Sequence, residues 1–288
     1  MSKVKKGDIV GRKSYNSDIL FKVIDLDEGD SSCSCAKLKG IDLRLCADAP
    51  LSDLEVKSQR EVSEYRLNDI KKSQSCMKRI LTRRNADLSR FESKISRKKG
   101  EFFNLPGRIL HLDGDEEYLE KCLNTYEQLN LDAIGFYVPE SKQPEVILDY
   151  LKEYNFDILV LTGHDALQKK KKGFVDINNY QNSKYFVEAV KKVRRIVPSR
   201  DNLVIFAGAC QSHYEALLAA GANFASSPQR IMIHAFDPVF IVEKVAYSSI
   251  NDILLLDDII SDTITGEDGV GGVETRGRMR LGYPKSPY

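Results

Sequence analysis

Asp157-Ile-Leu-Val-Leu-Thr-Gly-His-Asp165 is the stretch that decides the fold. Its apolar residues run consecutively instead of alternating, and the run is strand-sized. Such a strand is buried on both faces, as in a parallel sheet covered by helices. Asn202-Leu-Val-Ile-Phe-Ala-Gly-Ala-Cys210 repeats the texture, and 108–113 and 132–138 do so upstream. Amphipathic stretches over 116–128, 144–153 and 183–196 fall between these runs. A short helix over 213–220 leads to a short strand at 223–225, and 239–247 and 251–264 read as further helix or strand. This alternation predicts an α/β domain, a three-layer sandwich around a mainly parallel sheet.

Outward from that core the texture changes. Residues 1–52 hold short apolar runs separated by turn residues and predict a small β module of the SH3-like barrel kind. Residues 53–103 form a basic helical connector: 56–99 lack Gly and Pro and carry fourteen Lys/Arg against five Asp/Glu. Met77, Leu81, Leu88, Phe91 and Ile95 recur at helical spacing as one apolar stripe. We read its cationic face as solvated; a nucleic-acid-binding face or a protease-sensitive segment are the alternatives. The α/β domain covers 104–265, and 266–288 is a flexible Gly/Arg-rich tail.

The totals fit this layout. The chain has 288 residues, 42% apolar content and a net charge of +1. No apolar run reaches bilayer length, and the start Met-Ser-Lys-Val-Lys-Lys-Gly-Asp has no apolar region of a secretory signal. A cytoplasm-like, reducing compartment is the expectation, so cysteines 33, 35, 46, 76, 122 and 210 are read as thiols. Cys33-Ser-Cys35 is C-x-C with no partner pair, so zinc is not expected there. No phosphate-binding loop or dinucleotide turn is present, and no cofactor is expected.

Two strands end in reactive residues. In open α/β sheets ligands collect beyond the carboxyl ends of the strands, and there the sequence delivers His164 and Cys210. Small residues before each allow a sharp turn. Ser212 reads as an N-cap for the next helix, placing the thiol near a helix amino end where a thiolate is favoured. A thiolate attacks a carbonyl, imidazolium protonates the departing amine, and backbone N–H groups of Cys210 and of the turn at Gly163 and Asp165 serve the oxyanion. The 46-residue interval between His164 and Cys210, and the Ala209-Cys210 pair, fall near the caspase pattern.

Other histidines have duller readings. His213 is the alternative base, His111 a sheet-face residue, and His234 has no motif around it. Residues 169–172, four lysines, read as a solvated loop. A rival from another class is a receiver- or flavodoxin-like module using Asp113, Asp115 and Asp165, although no lysine stands in the strand at 223–225. A second rival is a nucleic-acid-associated scaffold.

Lys-Gly-Asp-Ile-Val at 6–10, Leu-Thr-Gly-His-Asp-Ala at 161–166 and Phe-Ala-Gly-Ala-Cys-Gln-Ser at 206–212 resemble the YabG family of sporulation-specific cysteine proteases. The resemblance covers essentially the whole chain. It implies a His/Cys dyad falling on His164 and Cys210, and a fold similar to the caspase–gingipain–legumain group. Asp165 stands where that wider group has glycine. The resemblance further implies cleavage after arginine, spore-coat and germination proteins as substrates, self-processing, and residence in the sporulating cell or spore. Membrane insertion and nucleic-acid partners are not expected. A P1 arginine needs a carboxylate; Asp165, Asp115, Asp176 and Asp237 are the candidates.

Overall fold

The computed structural model describes residues 4–27, 34–94, 102–168 and 173–286, and it divides into two units, Met1–Gln74 and Ser75–Tyr288. Cys33, Ile95 and residues 169–172 lie outside the described residues, as do the side chains of Leu88 and Phe91.

In the first unit, β1 (Ile9–Arg12), β2 (Leu20–Asp27), β3 (Cys35–Gly40), β4 (Cys46–Pro50) and β5 (Leu54–Val56) form one antiparallel sheet in the order β4-β3-β2-β1-β5. Val10, Phe21, Val23, Leu38, Ala49 and Leu54 close its core. The sheet takes residues 54–56, so this β unit runs past 52, where the sequence reading ended it. Helix α1 (Gln59–Lys94) opens on a capping box: Glu61 accepts from Ser58 N–H at 2.8 Å, and Glu61 N–H donates to Ser58 Oγ at 3.3 Å.

From Ser75 onward, α1 belongs to the second unit. Its buried residues there are Cys76 and Ile80, with Met77 packed beside them, whereas Leu81 is exposed. Of the expected stripe Met77 packs against the core and Leu81 does not, and the cationic face is not simply solvated. Arg83 and Arg84 both pair with the fully buried Glu243, and Arg83 also reaches Asp262. A carboxylate in the interior requires such partners, and they tie the helix down.

The rest of the unit follows as β6 (Phe103–Leu105), β7 (Ile109–Asp113), α2 (Glu116–Gln128), β8 (Ala133–Tyr137), α3 (Gln143–Glu153) and β9 (Ile158–Thr162). Then come α4 (Ser183–Ile196), β10 (Val204–Ala207), α5 (Tyr214–Ala220), β11 (Phe224–Ser226), α6 (Asp237–Tyr247), β12 (Ile253–Leu254), α7 (Leu256–Ile260), β13 (Val270–Gly272), β14 (Thr275–Arg276) and β15 (Arg280–Gly282). The main sheet has the order β13-β11-β10-β9-β7-β8; its strands pair in parallel except for β13, which is antiparallel to β11.

The strands are apolar throughout because each face meets helices. Ile158, Val160, Val204 and Phe206 pack with residues of α1, α2 and α6, while Leu159, Leu161, Ile205 and Ala207 pack with α3, α4 and α5. The tail expected to be mobile from Gly266 instead supplies the edge strand β13. Glycine at 271 and 272 is compatible with a strand at this place because Tyr214 and Phe224 press against those positions, where a Cβ would collide.

Candidate active site

The order β8-β7-β9 reverses chain direction across the sheet at β7 and β9, the place where α/β folds open a crevice beyond the strand ends. Asp113 ends β7 and Thr162 ends β9. Their side chains join there: Thr162 Oγ1 donates to Asp113 at 2.9 Å and lies 2.6 Å from His111 Nε2. His111 is thus the sheet-face residue the sequence suggested, and Tyr126 OH meets its Nδ1 at 3.2 Å.

Two residues past β7, Asp115 leaves this buried group and serves two partners. One oxygen accepts from Glu117 and Tyr118 N–H at 3.0 and 3.1 Å, capping α2. The other lies 2.7 Å from His164 Nε2. An ionised carboxylate only accepts, so Nε2 donates to it and Nδ1 is the nitrogen left to exchange a proton. Tyr118 presents an edge to the imidazole, which keeps 19% side-chain exposure. His164 N–H donates to Glu140 Oε1 at 2.6 Å.

Beside this, β10 pairs with β9 in parallel, Val204 opposite Ile158 and Ala207 opposite Leu161. That register is an offset of 46 residues, the same interval that separates His164 from Cys210. The two residues therefore leave neighbouring strands at equivalent heights. Asp165 fastens the two turns: it accepts from Ser183 Oγ, from Asn182 N–H at 2.8 Å, and from Ser212 Oγ at 2.9 Å, while Ser212 Oγ also accepts from Ala209 N–H.

Cys210 is fully buried. Its Sγ accepts from Ile233 N–H at 3.3 Å and faces Ile233 O at 3.8 Å. The strap carrying Ile233 is stitched to the cysteine turn, since Gln211 N–H donates to Ile231 O at 3.1 Å and to Ser227 Oγ at 2.9 Å. Arg230 latches it, donating to Glu215, to Tyr180 OH at 2.7 Å and to the carbonyls of Ser227 and Pro228. Gln211, Ser227 and Arg230 all have φ between 56° and 65°, a left-handed conformation that is uncommon for residues with a Cβ.

The remaining sequence candidates separate clearly. Ser212 is not the cap of α5. His213 takes that place, accepting from Ala216 N–H through Nδ1 at 3.4 Å and donating through Nε2 to Val175 O at 2.8 Å. Both its ring nitrogens are engaged, and it does not share a helix face with Cys210, which precedes α5 by four residues. Asp165 is buried among its donors, and burial pushes its carboxyl up against the hydrogen bonds that lower it. Asp237 is likewise fully buried, with burial raising its carboxyl, and accepts from His234, Ile264 and Thr265. Asp176 is the exposed member of the four, capping the turn Ile177–Asn179. Of the expected oxyanion donors, the turn at Gly163 and Asp165 has its His164 N–H taken by Glu140.

Sequence reasoning missed Asp115 as the partner of His164, Glu140, and the strap. Only Asp115 had a signal, an acid two residues beyond an apolar strand end. Among the described residues no group of three or more His, Cys, Asp or Glu is placed to hold a metal, and no helix is long and apolar enough to cross a membrane. Clefts of about 660 and 500 Å³ run along the second half of α1 beside α6 and α7, and neither is lined by His164 or Cys210.

A family profile described as YabG peptidase U57 matches residues 5–284. The sporulation-specific protease YabG of Bacillus subtilis (strain 168) is 43% identical over 294 residues, covering 96% of this chain and 97% of that protein. Among solved structures, the receiver domain of Francisella response regulator 1452 matches with a TM-score of 0.32 and 14% identity, covering 50% of this chain and 97% of that one.

Proposed function

The chain belongs to the YabG peptidase U57 family and is a sporulation protease; from that premise we propose that it is a cysteine endopeptidase with Cys210 as nucleophile and His164 as acid and base. The observation that carries this reading is the register: β9 and β10 pair at the offset that brings residues 164 and 210 to equivalent heights. In the mechanism the Cys210 thiol gives its proton to His164 Nδ1, and the thiolate Sγ attacks the scissile carbonyl, the sulfur–carbon bond forming as the carbonyl electrons move to oxygen. Protonated His164 gives its proton to the departing amine, leaving a thioacyl-enzyme. Water then adds with His164 as base, and collapse releases the acid and the thiol. Asp115 keeps the imidazole in one tautomer and stabilises the cation that forms. Because Ile233 covers the sulfur, substrate entry requires the strap to withdraw.

The sheet order, with an antiparallel final strand and helices on both faces, supports a caspase-like sandwich. The five-stranded antiparallel sheet of the first unit, whose last strand returns to pair with β1, supports an SH3-like module. For cleavage after arginine, Asp176 is the exposed carboxylate of the four candidates. Spore-coat and germination proteins as substrates, and self-processing at the arginines of the basic segment, complete the reading.

The test is intact-mass analysis of purified protein, with cleavage of an arginine-containing protein substrate, for wild type, Cys210→Ala and His164→Ala. Both variants are expected to keep the wild-type circular dichroism spectrum and to lose cleavage. Turnover retained in either one rules out the dyad.

A further inference from the structure

Glu140 follows β8, yet its carboxylate lies between the two loops that carry Asp115 and His164. A Cβ at Gly114 or at Gly163 would run into that carboxylate, so both neighbouring loops are glycine where the side chain passes. Oε1 accepts from His164 N–H at 2.6 Å, the short distance of a charge-assisted hydrogen bond. One acid thus fixes the backbone of the catalytic turn from beneath, while Asp115 fixes the ring from the side. Nothing in the chemistry proposed for Cys210 consumes Glu140, and a half-buried carboxylate wedged against two glycines needs another reason to be there.

We propose that Glu140 is a positioning residue for the catalytic imidazole: its ionised carboxylate holds the His164 turn through the backbone N–H and places a second negative charge against the imidazolium. This rests on the reading of His164 as the acid and base. The titratable groups acting on Glu140 are His164, which favours its charge, and Asp113, which opposes it; Asp115 faces the ring itself. Burial is the largest influence and pushes the Glu140 carboxyl up, opposed by the His164 N–H. The hydrogen bond and the imidazolium offset part of that cost of burial, and the carboxyl stays above its ordinary range.

The experiment is the pH profile of kcat/KM for Glu140→Gln and Glu140→Ala beside wild type, with His164→Ala as reference and thermal melts on all four. Glutamine keeps an acceptor for the N–H but not the charge. Its kcat/KM is expected to fall about tenfold, the difference between a charge-assisted and a neutral hydrogen bond. The alkaline limb moves to lower pH, because imidazolium loses a stabilising charge. Alanine releases the turn and is expected to lose about 100-fold, the scale of a displaced catalytic group. If alanine fails to fold, Glu140→Gln decides alone. A glutamine variant with wild-type rate, or a slow one whose limb has not moved, overturns the proposal. An active His164→Ala enzyme overturns the dyad and this role with it, and is told apart because His164 then carries no proton in the reaction.

Discussion

The two lips of the candidate site, one at the ends of β7 and β9 and one at the end of β10, are built in opposite ways. At the end of β7 and β9 the imidazole is partly exposed, held at ring and backbone by two carboxylates. At the end of β10 the sulfur is sealed beneath the Ile233 backbone, with no side-chain exposure. The first lip is organised and open; the second is organised and closed. On the proposed dyad this difference puts control on the nucleophile side, with the proton-transfer apparatus ready in the resting fold and access to Cys210 a conformational step. The left-handed residues Gln211, Ser227 and Arg230 cluster on the closed side.

Asp115→Asn attacks the open lip hardest. If the asparagine oxygen stays on the α2 cap, its amide N–H group faces His164 Nε2–H, donor against donor. The imidazole must then adopt the other tautomer, which removes its basic nitrogen from Nδ1. The expected loss in kcat is about 100- to 10,000-fold, as for a triad carboxylate, with the melting temperature little changed since asparagine also caps helices. Wild-type kcat in this variant would dissolve the contrast between the lips, because the base would then not depend on its orientation.

Arg230→Ala tests the closed lip. Losing the bonds to Glu215, Tyr180 and two carbonyls loosens the strap. Alkylation of Cys210 by iodoacetamide, followed by peptide mass analysis, is expected to accelerate about tenfold or more, since one hydrogen bond to a charged group is worth about 1.5–3 kcal/mol. The exposed Cys46 is the internal standard whose rate stays put. An unchanged ratio between the two thiols means that this latch does not keep the strap down.

What the sequence disclosed follows the same division. Strands β7, β9 and β10 announce themselves because consecutive strand-length apolar runs are what a sheet covered on both faces requires, and α2 and α4 read to their observed ends from periodicity. The positions of His164 and Cys210 came with the strands. The contacts that define each lip did not. Asp115 reads locally as a helix cap, which it also is. Glu140 sits in Pro-Glu-Ser-Lys, an ordinary polar turn, and acquires meaning only when β8 and β9 bring it under His164. The strap is a tertiary covering with no periodicity to reveal it. Strand β13 was hidden by its glycines, whose value is the room they leave for Tyr214 and Phe224.

The smallest effect concerns the outer end of the latch. Burial pushes the Glu215 carboxyl up, but the hydrogen bond and charge of Arg230 outweigh it and hold it below the ordinary carboxylate range. A carboxyl lowered in the folded state adds stability that is complete above its unfolded value, near 4.3. That stability fades as the pH falls through the lower, folded value. Glu215 keeps 64% side-chain exposure, so solvent screens the pair and its worth is about 0.2–1 kcal/mol. Urea titrations of wild type and Glu215→Gln should therefore differ by that amount at pH 7, hold the difference down to about pH 5, and converge below it. A gap that persists at pH 3 would mean that shape, and not charge, retains Arg230. The closed lip would then be insensitive to acid, and its opening would have to come from substrate or from a cut in the chain.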